Sequence, residues 1–592
     1  MTPEQILLLL ILSGALVFFM TERWRYDIVA LLALLAATLA GIVPAEQAFS
    51  GFGHAAVITV AAVLVVGRAL QNSGLVDFLA SYALRVGDRP TLQVFALSGV
   101  VAVLSAFMNN VGALALLLPV TVRMARNSGH PPSLLLMPLA FASLLGGMTT
   151  LIGTPPNIII AAFRAQAGES PFRMFDFSPV GVGVALGGIL YLSIIGWRLT
   201  PRRKGQLSRE ELFQINDYVS EVRVPEDSKL AGKFLWDLEE IVEHDVSIVG
   251  LIRGERRLLV PSKYESLQSG DILMVEGDSN ALQALLDKAK FELVGEKQRD
   301  GLELGSDDVS VVEAIVRPNS ALVGNTVWTF QLRWRYGVNL LGVAREGARL
   351  QQRLKNVRFQ AGDVLLLQGP SATLQETLSV LGCLPLAERG LRFGPRRLLL
   401  SLAIFASAIG ALAAGLVVAP IALVGAAVLM VLFKLVSLRE AYDSIDWPVI
   451  VMLGAMLPIG AAMQTTGAAD WVAKGLLQIS LQLSPVATLV LVLLGVMFLS
   501  DVVNNAAAAV LMAPVAVGVA RGMGASADPF LMTVAVGASC AFLTPIGHQS
   551  NTLVLGPGGY KFADYFRVGL PLEVMIVTVS IPLILYFWPL GI

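Results

Sequence analysis

Gly153-Thr154-Pro155-Pro156-Asn157 lies inside an apolar run from 131 to 163, and Gly547-His548-Gln549-Ser550-Asn551 lies inside another from 529 to 556. Each quintet runs from Gly to Asn and marks a mid-helix break in a run long enough to cross a membrane. Three further pairs keep the same order. Gln71-Asn72-Ser73-Gly74-Leu75-Val76-Asp77 matches Gln464-Thr465-Thr466-Gly467-Ala468-Ala469-Asp470. Asn109-Asn110 with Pro119 matches Asn504-Asn505 with Pro514, and Phe175-Asp176-Phe177 with Gly181 matches Ala563-Asp564-Tyr565 with Gly569. Ordered anchors at matching spacing mean that the chain is internally duplicated.

The 592 residues are 55% hydrophobic and 15% charged, and the mean hydropathy of +0.70 places the chain in lipid. A net charge of −1 without a basic run offers nothing to nucleic acid. Cys383 and Cys540 make no disulfide framework, and the four histidines lack HExxH spacing. With no CxxC pair, phosphate loop or nucleophile-base pair, no enzyme is expected. The run from Ile6 to Met20 lacks a basic segment before it, and Thr21-Glu22-Arg23-Trp24-Arg25 after it is no cleavage site, so it reads as a retained helix.

Apolar stretches fall near 5–21, 27–44, 56–71, 131–163 and 178–197, then near 397–415, 417–436, 448–464, 529–556 and 567–589. Between the third and fourth of each set, 90–126 and 483–520 are too interrupted for simple crossings and read as re-entrant hairpins. Five spans per half is odd, so the second half is expected upside down. The arginines and lysines agree: Arg23, Arg25, Arg123, Arg126, Arg198, Arg202, Arg203 and Lys204 share a side with Arg396, Arg397, Lys434, Arg439, Lys561 and Arg567 only if both hairpins are re-entrant. That side is cytoplasmic, with both termini outside the inner membrane; Arg164, Arg173, Lys474 and Arg521 are exceptions. The fold class is therefore a polytopic α-helical membrane protein of two inverted repeats, 1–199 and 395–592.

The insert differs in kind. Its apolar residues alternate at strand period, as in Val246 to Ile252, and Gly232, Gly250 and Gly270-Asp271-Ile272-Leu273 recur as Gly324, Gly342 and Gly362-Asp363-Val364-Leu365. Helical segments are expected at Ala281 to Leu286 and Thr373 to Leu381. The pattern predicts tandem cytoplasmic α+β modules, 206–294 and 303–390.

Irregular backbone survives at membrane depth only where it lines a cavity or binds something. An Asn side chain offers a carbonyl to a cation and an amide to an anion, and a helix starting after the tip adds its positive end. Free carbonyls at Gly153 and Gly547 can complete a cation shell. Otherwise these asparagines only bond neighbouring helices.

Ser105-Ala106-Phe107-Met108-Asn109-Asn110, Asn504-Asn505-Ala506, the two break quintets and Gly556-Pro557-Gly558-Gly559-Tyr560 resemble the divalent anion:sodium symporter family of the ion transporter superfamily. The resemblance covers both membrane halves, and the insert is similar to TrkA-C (RCK-C) modules, a combination similar to sulfate permeases. It implies a homodimer moving by an elevator-type mechanism. One sodium ion would be held by Ser105, Asn109, Asn110 and the Gly153 carbonyl, a second by Ser500, the Val503 carbonyl, Asn505 and the Gly547 carbonyl. Substrate would meet Asn110, Thr154, Asn504 and Asn505, with His548 close by. The family's Ser-Asn-Thr triplet stands here as Asn109-Asn110-Val111 and Asn504-Asn505-Ala506, which loses a hydroxyl in each half and favours a compact oxyanion over a dicarboxylate.

His548 is a charged partner of a dianion, a neutral donor or a packing residue; Asp501 is either a functional ionisable group or a brace for the hairpin. The expectation is sodium-coupled symport of sulfate or a similar divalent anion, with protons as the alternative coupling ion and a small regulatory ligand on the modules. Di- or tricarboxylate and sulfonate symport, or a ligand-gated anion channel, are the alternatives.

Overall fold

The apolar runs form helices, some of which continue through an internal proline, as at Pro138, Pro458 and Pro571. The computed structural model describes residues 1–21, 24–75, 78–79, 86–203, 219–226, 228, 230–241, 247–254, 256–259, 261–262, 264–276, 289–293, 309–318, 320–345, 348–350, 357–370, 373–386, 395–480 and 484–591. Arg23, Val76, Asp77, Lys204, the helix expected at 281–286 and the expected hairpin start at 483 lie outside the described residues. The chain divides into one unit of residues 1–202, 389–551 and 561–592, and another of 203–388 with 552–560.

In the first unit, eight helices among the described residues are long and apolar enough to cross a membrane. Both predicted breaks are present. The 131–163 run is Ser133–Gly147 and Pro155–Gln166 with 148–154 non-helical, and the 529–556 run is Ala527–Ala538 and Gln549–Gly558 with 539–548 non-helical. The expected hairpins are helix pairs, Pro90–Ser105 with Asn110–Asn127 and Pro485–Val502 with Asn505–Gly522.

Two other helices are shorter than their runs. Tyr26–Leu39 ends before Gly41, whose φ of +74° needs glycine, and Pro44 opens the 3₁₀ turns Ala45–Gln47 and Ser50–Gly53. Ala419–Leu432 gives way at Lys434, φ +57°, to a Ser437–Glu440 capping box that opens Leu438–Asp443. Ala468–Ser480 is a helix that hydropathy alone did not mark.

Pro90–Ser105 packs along Ser133–Gly147, and Pro485–Val502 packs along Ala527–Ala538. Tyr26–Leu39 lies on Trp447–Thr465, and Ala55–Asn72 on Ala419–Leu432. Pro155–Gln166 joins the halves by packing against Asn505–Gly522 and Ala527–Ala538. Arg164 Nε and Nη2 donate to Asp528 at 2.7 and 2.8 Å, and the guanidinium lies 4.6 Å over the Phe172 ring. This two-pronged pairing satisfies a charge that stands off the predicted basic side.

The second unit holds two five-stranded antiparallel sheets. The first runs β3 (Arg256–Leu259), β2 (Ser247–Arg253), β4 (Ile272–Glu276), β1 (Val219–Arg223), β5 (Glu292–Leu293). The second runs β10 (Cys383–Pro385), β6 (Val309–Val316), β9 (Val364–Pro370), β7 (Asn339–Arg345), β8 (Ala348–Arg349), the same order read backwards. The duplication reaches single bonds. Arg253 clasps Asp271 and Arg345 clasps Asp363, each pair 18 residues apart, and each aspartate is 1% exposed. Leu374–Val380 matches the helix expected at 373–381. Burial pushes the Cys383 thiol up to about 12, so it stays protonated and unreactive at neutral pH.

Candidate ion and anion site

The first cluster forms around the turn at 106–109. Asn109, with extended φ −56° and ψ 133°, caps the next helix by accepting the Val111 N–H at 2.9 Å on Oδ1. The cap turns Asn110 inward, where it is 4% exposed. Ser105 Oγ lies 2.5 Å from Asn110 Oδ1 and 2.6 Å from the Ser143 carbonyl. Asn110 Oδ1 also stands 3.3 Å from the Ser143 carbonyl and 3.2 Å from the Gly153 carbonyl. Three oxygens, Ser105 Oγ and the Ser143 and Gly153 carbonyls, therefore converge on the Asn110 side-chain amide.

With Asn110 Oδ1 turned toward them, these neutral oxygens are the donor set that alkali and alkaline-earth ions take. With the amide turned over, its NH₂ donates to the same three oxygens and closes the cage without a cation. Asn110 can serve both states by rotating about one bond. Gly147 makes room, since a methyl there would run into Asn110 Oδ1.

The second cluster repeats the plan. Ser500 Oγ donates to the Ala538 carbonyl at 2.8 Å, and both serine bonds span 38 residues. Val503, at φ −123° and ψ 157°, takes its carbonyl off the helix direction. Asn504 caps Ala506 N at 2.9 Å, and Asn505 is 7% exposed. Gly547 lies against Ser500: an added Cβ would stand 2.7 Å from the Ser500 carbonyl. Here the inward amide is committed, since Asn505 Oδ1 also accepts from Ala506 N at 2.9 Å.

Four helices begin at the four motifs: Asn110–Asn127, Pro155–Gln166, Asn505–Gly522 and Gln549–Gly558. Their free N–H groups and positive ends are what an oxyanion seeks. Thr154, the N-cap of the second, is 1% exposed and its Oγ1 has no partner among the described residues. His548 Nδ1 accepts the Ser550 N–H at 3.0 Å, which makes it an acceptor and leaves Nε2 to carry the ring proton as a neutral donor. Ser143 Oγ reaches Ser550 Oγ at 3.4 Å, so a chain of contacts runs from Asn110 through Ser105, Ser143 and Ser550 to His548.

Asp501 is a brace at least in part. Its Oδ1 accepts Leu543 N at 2.9 Å and its carbonyl accepts Thr544 Oγ1 at 2.6 Å. Its other oxygen meets the Glu573 carboxyl, 7% exposed, a neighbour the sequence reading missed. Sequence reasoning also missed the Ser143 and Ala538 carbonyls and the threonines three residues before Gly153 and Gly547. The equal Thr-to-Gly spacing, Thr150 to Gly153 and Thr544 to Gly547, was the signal that could have found the last two. Among the described residues no three His, Cys, Asp or Glu side chains gather to hold a metal.

The family profile described as CitMHS, citrate transporter, matches residues 16–537. An uncharacterized transporter of Synechocystis is 32% identical over 594 residues, covering 98% of this chain and 96% of its own length. An uncharacterized transporter of Escherichia coli is 32% identical over 617 residues, covering both chains completely. Sodium/sulfate cotransporter 1 of Chlamydomonas reinhardtii is 27% identical over 358 residues, which is 57% of this chain and 40% of its own.

Proposed function

Because the chain belongs to the citrate transporter family, we propose that it takes up sulfate or a similar small divalent anion by symport with sodium. The coarse part of that statement is secure: this is an integral membrane secondary transporter and not an enzyme. The observation that supports the finer part is the convergence of Ser105 Oγ and the Ser143 and Gly153 carbonyls on the Asn110 amide, beside the starts of two helices.

Cation one sits among Ser105, Asn110, the Gly153 carbonyl and the remaining lone pair of Asn109. Cation two sits among Ser500, Asn505 and the carbonyls of Val503 and Gly547. The anion lies between the tips, received by Asn110, Thr154 Oγ1, Asn504, Asn505 and the His548 Nε2–H. Charge explains the coupling. At about −100 mV inside, a dianion entering meets ~4.6 kcal/mol of field; two cations cancel it and a third makes the potential help.

The halves are read as inverted repeats, each with five spans and one re-entrant hairpin. The equal serine bonds support this reading. The hairpins and broken helices move as one unit past the remaining spans, in an elevator-type step within a homodimer. The insert is read as a cytoplasmic pair of TrkA-C modules that bind a small ligand and bias that step, with both termini outside.

The relatives named sodium/sulfate cotransporters support sulfate; the family's description as a citrate transporter supports a carboxylate as the second reading. Radiolabelled sulfate uptake into proteoliposomes, with and without a sodium gradient, decides between them. We expect sodium-dependent uptake that thiosulfate and molybdate compete. Strong competition by succinate or citrate with none by inorganic anions would move the substrate to the second reading, and anion flux indifferent to cations would indicate a channel.

A further inference from the structure

The non-helical segments present a problem that the proposed cation sites alone do not solve. Each has several backbone carbonyls in a dry interior, and only one of them belongs in a cation shell. The structure deals with two of the others in the same way in each half. Asn157 Nδ2 donates to the carbonyls of Met148 at 3.3 Å and Thr150 at 2.8 Å. Asn551 Nδ2 donates to those of Ala541 at 2.6 Å and Thr544 at 3.0 Å. The two threonines then reach the hairpins: Thr150 Oγ1 donates to the Ala106 carbonyl, and Thr544 Oγ1 donates to the Asp501 carbonyl at 2.6 Å. Thr544 Oγ1 also accepts the Gly547 N–H at 3.0 Å, and the Thr150 carbonyl accepts the Gly153 N–H at 3.4 Å.

Both asparagines are 0% exposed, and their Oδ1 atoms have no donor among the described residues, so Nδ2 alone fixes each side chain. Among the described residues no backbone N–H reaches the carbonyls of Gly153 or Gly547. The Gly153 and Gly547 carbonyls are thus among those that the asparagines leave open.

We propose that Thr150 with Asn157, and Thr544 with Asn551, are positioning residues: two equivalent brackets that lock each broken segment to its hairpin and hold one glycine carbonyl in each cation site. This rests on the cation-symport reading above. The brackets touch neither ion nor anion. They set the distance between the Gly153 carbonyl and Asn110, and between the Gly547 carbonyl and Ser500, which is the dimension on which a cage of neutral oxygens selects its ion.

The test uses Thr150→Val and Thr544→Val, which keep the shape and remove the hydroxyl, and Asn157→Asp and Asn551→Asp, which remove the donor. Thr150→Ser and Thr544→Ser are the rescue. Two readouts are taken on the full-length protein: the sodium concentration that gives half of the thermal stabilisation, against choline as control, and the one that gives half-maximal sulfate uptake. We expect both to rise about tenfold in the valine and aspartate variants, the equivalent of ~1.4 kcal/mol. The maximum rate at saturating sodium should stay within roughly threefold, and serine should restore the wild-type concentration.

Folded valine variants with an unshifted sodium dependence, or with only a lower maximum rate, would overturn the brackets. If an aspartate variant fails to fold, the valine variant of the same bracket decides. A wild-type protein that sodium neither stabilises nor drives would overturn the cation reading itself, and the brackets with it.

Discussion

The two tips share a plan and differ in four places. Ser105 reaches Ser143 as Ser500 reaches Ala538, and Asn109 caps its helix as Asn504 does. Yet Ser143 brings a hydroxyl where Ala538 has none, and Thr154 stands where His548 does. Gly147 lies beside Gly153 as Ala541 lies beside Gly547, and the Asn110 amide is surrounded by three oxygens while the Asn505 oxygen accepts an N–H. The duplicated backbone supplies two helix starts and a loose carbonyl in each half. The side chains then differ, with an amide among three oxygens in the first half and a longer, ring-borne donor in the second.

Removing either inward amide should break the comparison from both sides. Asn110→Ala and Asn505→Ala each strand buried partners, and uptake should fall by about 100-fold, near ~3 kcal/mol. Folded protein, confirmed by size-exclusion chromatography, with full transport in both would refute the site. Exchanging the small residues sharpens the contrast. Gly147→Ala puts a methyl on Asn110 Oδ1, so the sodium requirement should rise by roughly tenfold, while Ala541→Gly should change it less than about twofold. Equal effects would show that the first cage is no tighter than the second.

His548→Asn keeps an acceptor near Ser550 N and removes the Nε2 donor. The half-saturating anion concentration should rise by about fivefold with little change in sodium dependence, as a lost neutral hydrogen bond predicts. The smallest effect is expected outside both clusters. The Ser437 backbone N–H, then its hydroxyl, holds the Glu440 carboxyl below the usual carboxylate range. A depressed value in the folded state means stability that is present above the unfolded carboxylate range and lost as pH falls through the folded value. Glu440→Gln should lower the thermal midpoint by about 2 °C at neutral pH, and the difference should shrink as pH falls below about 4.

The helix breaks at Gly153 and Gly547 and the turns before Asn110 and Asn505 were legible because they are local and occur twice. The modules were legible for the same reason, down to the Gly-Asp turns that Arg253 and Arg345 clasp. What was hidden is long-range. Glu573 sits in an apolar helix, 72 residues (573 − 501) from the aspartate it meets. The Ser143 carbonyl is a backbone atom that no sequence pattern marks. Arg164 looked like a misplaced charge until the structure brought Asp528 to it. Asn157 and Asn551 stood in the quoted motifs, but their task is to hold carbonyls of an unwound chain, and unwound geometry has no period to read.

The central claim is that two tips and two breaks meet around one anion with a cation on either side. A cryo-EM map of the protein in nanodiscs with sodium sulfate tests it most directly. The account predicts tetrahedral density within hydrogen-bonding distance of Asn110, Thr154, Asn505 and His548, and a smaller peak in each oxygen cage. Sulfate bound elsewhere, or helices Pro90–Ser105 and Pro485–Val502 crossing the bilayer as ordinary spans on the lipid-facing perimeter, would contradict it.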